Sequence, residues 1–189
     1  LMDGVKCATF NDYVSVLSRV TDKTCAILLE PVQGEGGVTP ADATFLKKIR
    51  ELCDDKDILL IFDEIQCGMG RTGSMFAYQQ YDVMPDILTT AKALGGGVPV
   101  GAFVVNQKVA NKSLVPGDHG TTYGSNPLCT AAVSTVFDMF EKYKLCDHVN
   151  RIAPLFIETL DRLVEKYDFV TERRGMGLMQ GLVLTVPVA

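Results

Sequence analysis

Three short apolar runs, each closed by a charged residue, constrain this chain more than any other feature. They are Cys25-Ala-Ile-Leu-Leu-Glu30, Asp57-Ile-Leu-Leu-Ile-Phe-Asp63 and Asp86-Ile-Leu-Thr-Thr-Ala-Lys92. Runs of this length, too short for buried helices and lacking polar alternation, read as strands buried on both faces of a parallel sheet. Between the first two, Ala41 to Cys53 carries Phe45, Leu46, Ile49 and Leu52 at helical spacing. Strand, helix, strand in that order is a right-handed parallel crossover, so the class is α/β and the charged ends Glu30, Asp63 and Lys92 come to one sheet edge. In open parallel sheets that edge is where ligands bind.

Lys92 passes from its strand almost directly into Gly95-Gly96-Gly97, a loop without Cβ atoms that lets backbone approach a bound molecule. A lysine in a partly dry crevice loses its proton readily, and the neutral amine is the nucleophile for a carbonyl substrate or for pyridoxal phosphate. Position alone favours a solvated lysine after a strand. Asp63 shifts the balance, because one crossover unit brings it to the same edge as Lys92. A pyridinium cofactor needs both groups: an amine to anchor its aldehyde carbon and an anion to keep its ring nitrogen protonated.

The remaining segments fit around this frame. Asn11-Asp12 caps a short amphipathic helix bearing Tyr13, Val14, Val16, Leu17 and Val20. Gln33 to Pro40 is a glycine-rich loop carrying a second carboxylate, Glu35. Val100 to Val105 is a further strand, antiparallel or at an edge. His119-Gly-Thr-Thr-Tyr-Gly-Ser-Asn-Pro127 leads into a helix capped by Asn126, its apolar face formed by Leu128, Ala132, Val133, Val136, Phe137 and Phe140. Hydroxyl residues just before such an amino terminus suit a phosphate, although a plain polar loop reads the same way. A second helix spans about 147–167, bent near Pro154, and an apolar strand follows over 178–186.

Gly68-Met-Gly-Arg-Thr-Gly73 matches the dinucleotide-binding spacing G-x-G-x-x-G. That fingerprint requires the turn to begin as the strand ends, a long helix behind it and an acid at the end of the next strand. Here the glycines start five residues after Asp63, the following apolar residues give barely two turns, and the next strand ends in Lys92. The dinucleotide reading is therefore set aside.

Composition narrows the class further. A net charge of −5 argues against non-specific nucleic-acid binding. Six cysteines without a C-x-x-C pair, and only two histidines, leave no ground for a metal site and indicate reduced thiols in a cytoplasmic compartment. No apolar run reaches the length of a membrane span.

Four motifs in order, Glu30-Pro-Val-Gln-Gly-Glu-Gly-Gly, Phe62-Asp-Glu-Ile-Gln-Cys-Gly-Met-Gly-Arg-Thr-Gly, Ala91-Lys-Ala-Leu-Gly-Gly-Gly and His119-Gly-Thr-Thr-Tyr-Gly-Ser-Asn-Pro, resemble the class III aminotransferases, nearest to the branch acting on N-acetylornithine. The resemblance covers nearly the whole chain. It implies a three-layer α/β large domain of fold type I with a mostly parallel sheet (residues 1–145), then a linking helix and the start of a small domain (146–189). It also implies pyridoxal 5'-phosphate as cofactor, bound through Lys92 as Schiff-base lysine and proton shuttle. Asp63 would hold the pyridine nitrogen, Gln66 the ring hydroxyl, and Ile65 one ring face. Thr122, with Thr121 close by, would reach the cofactor phosphate of a neighbouring subunit in a homodimer. Glu35 would lie on the substrate side and Glu30 behind Gln66.

The implied reaction moves the δ-amino group of N-acetylornithine to 2-oxoglutarate. Ornithine and 4-aminobutyrate aminotransferases would share the same cofactor residues. The family's phosphate loop, stacking aromatic and carboxylate-binding arginine have no counterpart in these residues, which leaves a catalytically incompetent piece as the remaining alternative.

Overall fold

The structure, a computed structural model, describes residues 3–186. Helix α1 (Tyr13–Leu17) begins where the Asp12 carboxylate accepts the Ser15 amide at 3.0 Å. Its pattern continues to Val20, but Val20 packs on the core from beyond the helix. Strand β1 (Ala26–Leu29) follows. A small hairpin, β2 (Val32–Gln33) and β3 (Thr39–Pro40), then occupies the glycine-rich segment.

Helix α2 (Ala43–Lys56) is capped by Asp42, which accepts the Phe45 amide at 2.9 Å. It runs a turn past Cys53 on polar residues and stops where Asp57 turns left-handed, at φ 51°. Strand β4 (Leu59–Asp63), helix α3 (Tyr78–Tyr81) and strand β5 (Ile87–Thr90) come next, and a 3₁₀ turn (Lys92–Gly95) leads to strand β6 (Ala102–Val105).

These strands form one sheet in the order β1-β4-β5-β6. The first three are parallel, and β6 is an antiparallel edge, as its glycine suggested. Ladder partners place Leu60, Phe62 and Leu88 on one face, where Phe45, Leu46, Ile49, Leu52 and Cys53 of α2 pack against Leu60 and Phe62. Each such side chain contributes about 1.5–3 kcal/mol of burial.

The opposite face carries Leu28, Ile61, Ile87 and Asp63. The expectation of strands buried on both faces fails for β1, because Leu28 is 65% exposed. No element among the described residues lies over it. At the other end of the sheet, buried Asp86 accepts the Leu60 amide at 2.8 Å, Arg50 at 3.0 Å and Asn106 at 2.7 Å. Burial alone would raise its carboxyl; these donors bring it below the ordinary value and pin β4, β5 and β6 in register.

Helix α4 (Gln107–Ala110) precedes α5 (Pro127–Tyr143), which begins on Pro127 with Asn126 accepting the Cys129 amide at 3.0 Å. No residue of α5 is buried, so its apolar face is only partly covered. Helix α6 (Leu145–Lys166) starts two residues earlier than its sequence pattern indicated and runs through Pro154.

Strand β8 (Met179–Leu184) is preceded by β7 (Val170–Met176), which has no apolar signature. The two form an antiparallel hairpin. Its turn returns to the body of the fold: the Leu178 amide donates to the Arg71 carbonyl at 3.0 Å. Gly177, at φ 56°, sits so close that a Cβ would lie 2.5 Å from Thr72 backbone. No described helix is long and apolar enough to cross a membrane.

Candidate active site

At the carboxyl ends of β4 and β5 lies a cavity of about 320 Å³. Gly34 and Val38 of the β2–β3 hairpin form one wall. Ile65, Gln66, Gly68, Met69 and Arg71 form a second, Lys92 and Ala93 a third, and Leu178, Met179 and Gln180 close it from the β7–β8 hairpin. Its charged wall residues, Lys92 and Arg71, are both cations, although the chain is acidic overall. The Arg71 guanidinium has no hydrogen bond or ion pair among the described residues. A ligand carrying carboxylate or phosphate groups suits such a lining.

Lys92 emerges from β5 and is the first residue of the 3₁₀ turn, with its backbone left-handed at φ 48°. That conformation is unfavourable for a residue with a Cβ, and such strain concentrates at functional positions. The turn holds it through the Leu94 amide on the Ala91 carbonyl at 3.0 Å. The expectation of a partly dry crevice is corrected here: Lys92 is exposed among the described residues.

Asp63 closes β4 and stands in register with Thr89 of β5, three residues before Lys92. Its Oδ1 accepts the Ile65 amide at 2.9 Å, and its Oδ2 makes no hydrogen bond among the described residues. The buried Thr89 hydroxyl beside it also has no partner.

Gln66 reaches Glu35 at 3.4 Å, while Glu30 accepts the Gly34 amide at 3.1 Å and so supports the hairpin against Gln66. Gly34 lets the Gln66 side chain lie against the backbone, since a Cβ there would sit 1.1 Å from Gln66 Oε1 and would displace it. Ile65, Gln66 and Lys92 therefore share one cavity, with Asp63, Glu35 and Glu30 one contact behind. A free carboxylate oxygen, an unpartnered hydroxyl and a glycine cradle suit a flat ring with a protonated nitrogen.

Thr121 and Thr122 do not join this group. Both are exposed and absent from the cavity wall, and Thr121 instead accepts the Gly124 amide at 3.0 Å. Local hydrogen bonding decides this, since the loop before α5 turns on its own side chains.

The Gly68–Gly73 loop spends its amides internally. Gly68 donates to the Glu64 carbonyl at 3.0 Å, Gly70 to Met75 at 3.1 Å, Arg71 to Gly68 at 3.2 Å and Gly73 to Gly70 at 3.0 Å. None of these is free for a pyrophosphate, which agrees with setting the dinucleotide reading aside.

Sequence reading missed Glu64 and the hairpin residues Leu178 to Gln180. Glu64 stands beside Asp63 in the chain and is 0% exposed. Burial pushes its carboxyl up to about 7, against two amide donors that pull it down. A raised carboxyl favours the protonated fold, so this group's contribution to stability is full below about 4.5 and is lost as the pH rises through about 7. Cys67, buried against it, is pushed up to about 12 and stays a thiol. All six cysteines are free.

Residues 3–189 match the family described as Aminotransferase class-III. The chain belongs to the class-III aminotransferases. It is 55% identical to the acetylornithine aminotransferase of Methanocaldococcus jannaschii over 97% of its own length and 46% of that protein's. It is 49% identical to the succinylornithine transaminase of Salmonella newport, over 100% of this chain and 46% of that one. The ornithine aminotransferase of Toxoplasma gondii, whose structure is described with partial occupancy of PLP at the active site, superimposes with a TM-score of 0.91. That match has 35% identity and covers 97% of this chain and 43% of the other. The chain thus spans slightly less than half the length of the relatives it matches. Members of this class-III family use pyridoxal phosphate, and the α/β fold with its mainly parallel sheet is the one expected of them.

Proposed function

We propose that this chain forms the cofactor-anchoring part of a cytoplasmic acetylornithine aminotransferase, which moves the δ-amino group of N-acetylornithine to 2-oxoglutarate. The observation that carries the reading is the convergence of Lys92, Ile65 and Gln66 on one cation-lined cavity beside Asp63. The choice of N-acetylornithine rests on the names of the relatives at 55% and 47% identity.

Bound pyridoxal phosphate would supply an electron-withdrawing ring that stabilises negative charge on the carbon bearing the amine. Asp63 Oδ2 would hold the proton on the ring nitrogen, Gln66 would orient the ring through its hydroxyl, and Ile65 would keep water from one face. Lys92 Nζ would anchor the cofactor and, once released, take up and deliver the proton that the transfer moves. Arg71 gives the cavity its preference for acidic partners, and Glu35 stands where it can meet the far end of a donor. Residues 146–189 would begin the smaller domain and close the cavity through the β7–β8 hairpin.

Succinylornithine is the second reading, favoured by relatives at 49% identity. Ornithine and 4-aminobutyrate share the cofactor chemistry. Competition among the four donors on the full-length enzyme separates them. N-acetylornithine is expected to have the highest kcat/KM, and a preference for ornithine or 4-aminobutyrate would overturn the assignment.

Thr122 is proposed to serve the cofactor phosphate of a second subunit in a homodimer, which accords with its distance from its own cavity wall. An inactive Lys92→Ala protein mixed with an inactive Thr122→Ala protein should then recover activity in hybrid dimers. Absence of recovery, with hybrids verified by mass, would refute the shared site.

A further inference from the structure

We propose that Glu64 is a positioning residue for the cavity, fastening both ends of the loop that carries Met69 and Arg71 into the wall. Its main-chain carbonyl accepts the Gly68 amide at 3.0 Å, at the loop's beginning. At the loop's far end, Glu64 Oε2 accepts the Ala77 amide at 2.5 Å and Oε1 the Tyr78 amide at 2.8 Å. Both carboxylate oxygens are thereby used, within a fully buried setting where no other residue offers an acceptor to those amides.

Other parts of the site hang from the same loop. The Arg71 carbonyl receives the Leu178 amide at 3.0 Å, and the Gly73 carbonyl receives Asn150 of α6 at 2.8 Å. A shift of the loop therefore moves Arg71 and the wall residues Leu178 to Gln180 together. Ionised, the carboxylate gives each amide a full acceptor; a proton on one oxygen weakens that oxygen as an acceptor without removing its lone pairs.

Burial brings that proton on near neutrality, at about 7. The titratable groups packed on Glu64 are Cys67, from the same segment, and Tyr81, from α3. Both are pushed up to about 12, so neither titrates in that range. The proposal rests on reading the cavity as the amino-donor site, but one of its tests does not.

The test uses the full-length enzyme with Glu64→Gln. Losing one charged, buried hydrogen bond should raise KM for the amino donor by about tenfold with a smaller change in kcat, since the chemical groups are untouched. The limb of the kcat/KM profile near pH 7 should disappear. Amide hydrogen exchange on cofactor-free protein supplies the independent readout. In the parent, residues 68–78 should be protected; in Glu64→Gln they should exchange rapidly.

Glu64→Asp keeps the charge but is one methylene too short to span both amides. It should retain the pH limb with a smaller KM effect, and it carries the test if the Gln variant does not fold. If the expected donor is not a substrate but the exchange result holds, the functional reading fails and the positioning role stands. Unchanged exchange and KM in Glu64→Gln, a loss confined to kcat, or failure of both variants to fold would overturn the proposal.

Discussion

Replacing Lys92 by alanine in the full-length enzyme is expected to abolish transamination, lowering kcat by roughly 10⁴-fold or more, and to remove the borohydride-trapped adduct between protein and cofactor. The size follows from two duties proposed for one atom: Nζ would both anchor the cofactor and move the proton. No other lysine can replace it. Strand β6 runs antiparallel to β5, with Val105 opposite Ile87, so the residues after β6 lie at the far end of the sheet. Lys108 sits there, tied to Asp57 at 2.6 Å. Peptide mapping of the trapped adduct checks the argument, and an adduct on Lys108 or Lys112 would contradict it.

Asp63→Asn is expected to lower kcat by about 10²–10³-fold, corresponding to roughly 2.7–4 kcal/mol, while cofactor affinity changes far less. Asparagine has the same shape, and its amide oxygen can still accept from Ile65, so the turn after β4 survives. What it lacks is the negative charge on the oxygen that faces away from that turn, and with it the means to keep a ring nitrogen protonated. Measuring kcat alongside the cofactor dissociation constant separates the two effects. Near-normal turnover would remove Asp63 from this role, and parallel losses in both would make it a binding residue only.

Much of the frame was legible in the sequence because it follows local rules. Apolar runs of strand length joined by an amphipathic helix specify a parallel crossover, and the crossover's fixed hand places Asp63 and Lys92 on one edge. Caps were equally legible at Asp12 and Asn126, which each act within three residues of themselves, whereas the Asp42 cap of α2 was not. The antiparallel edge at β6 was foreshadowed by its glycine.

Strand β7 was not legible. Val-Thr-Glu-Arg-Arg-Gly-Met offers no apolar run; Arg174 pairs within the strand with Glu172 at 2.8 Å, and Arg173 is balanced by a partner brought to it by the fold, Asp161 at 2.6 Å.

By itself, then, the sequence determined the parallel α/β frame, the sheet edge that carries the chemistry and the two residues, Asp63 and Lys92, delivered there by strand ends. Tertiary structure alone decided which residues enclose the cavity, that Thr121 and Thr122 stand away from it, and that Lys92 is exposed among the described residues. It alone turned Glu64 inward to meet the Ala77 amide, thirteen residues further along the chain. The reason is range: strand period and crossover hand act between neighbours, whereas the wall from Leu178 to Gln180 reaches Arg71 only after the chain has returned across more than a hundred residues. No local pattern encodes where such a return will land, because it is chosen by the packing of everything between.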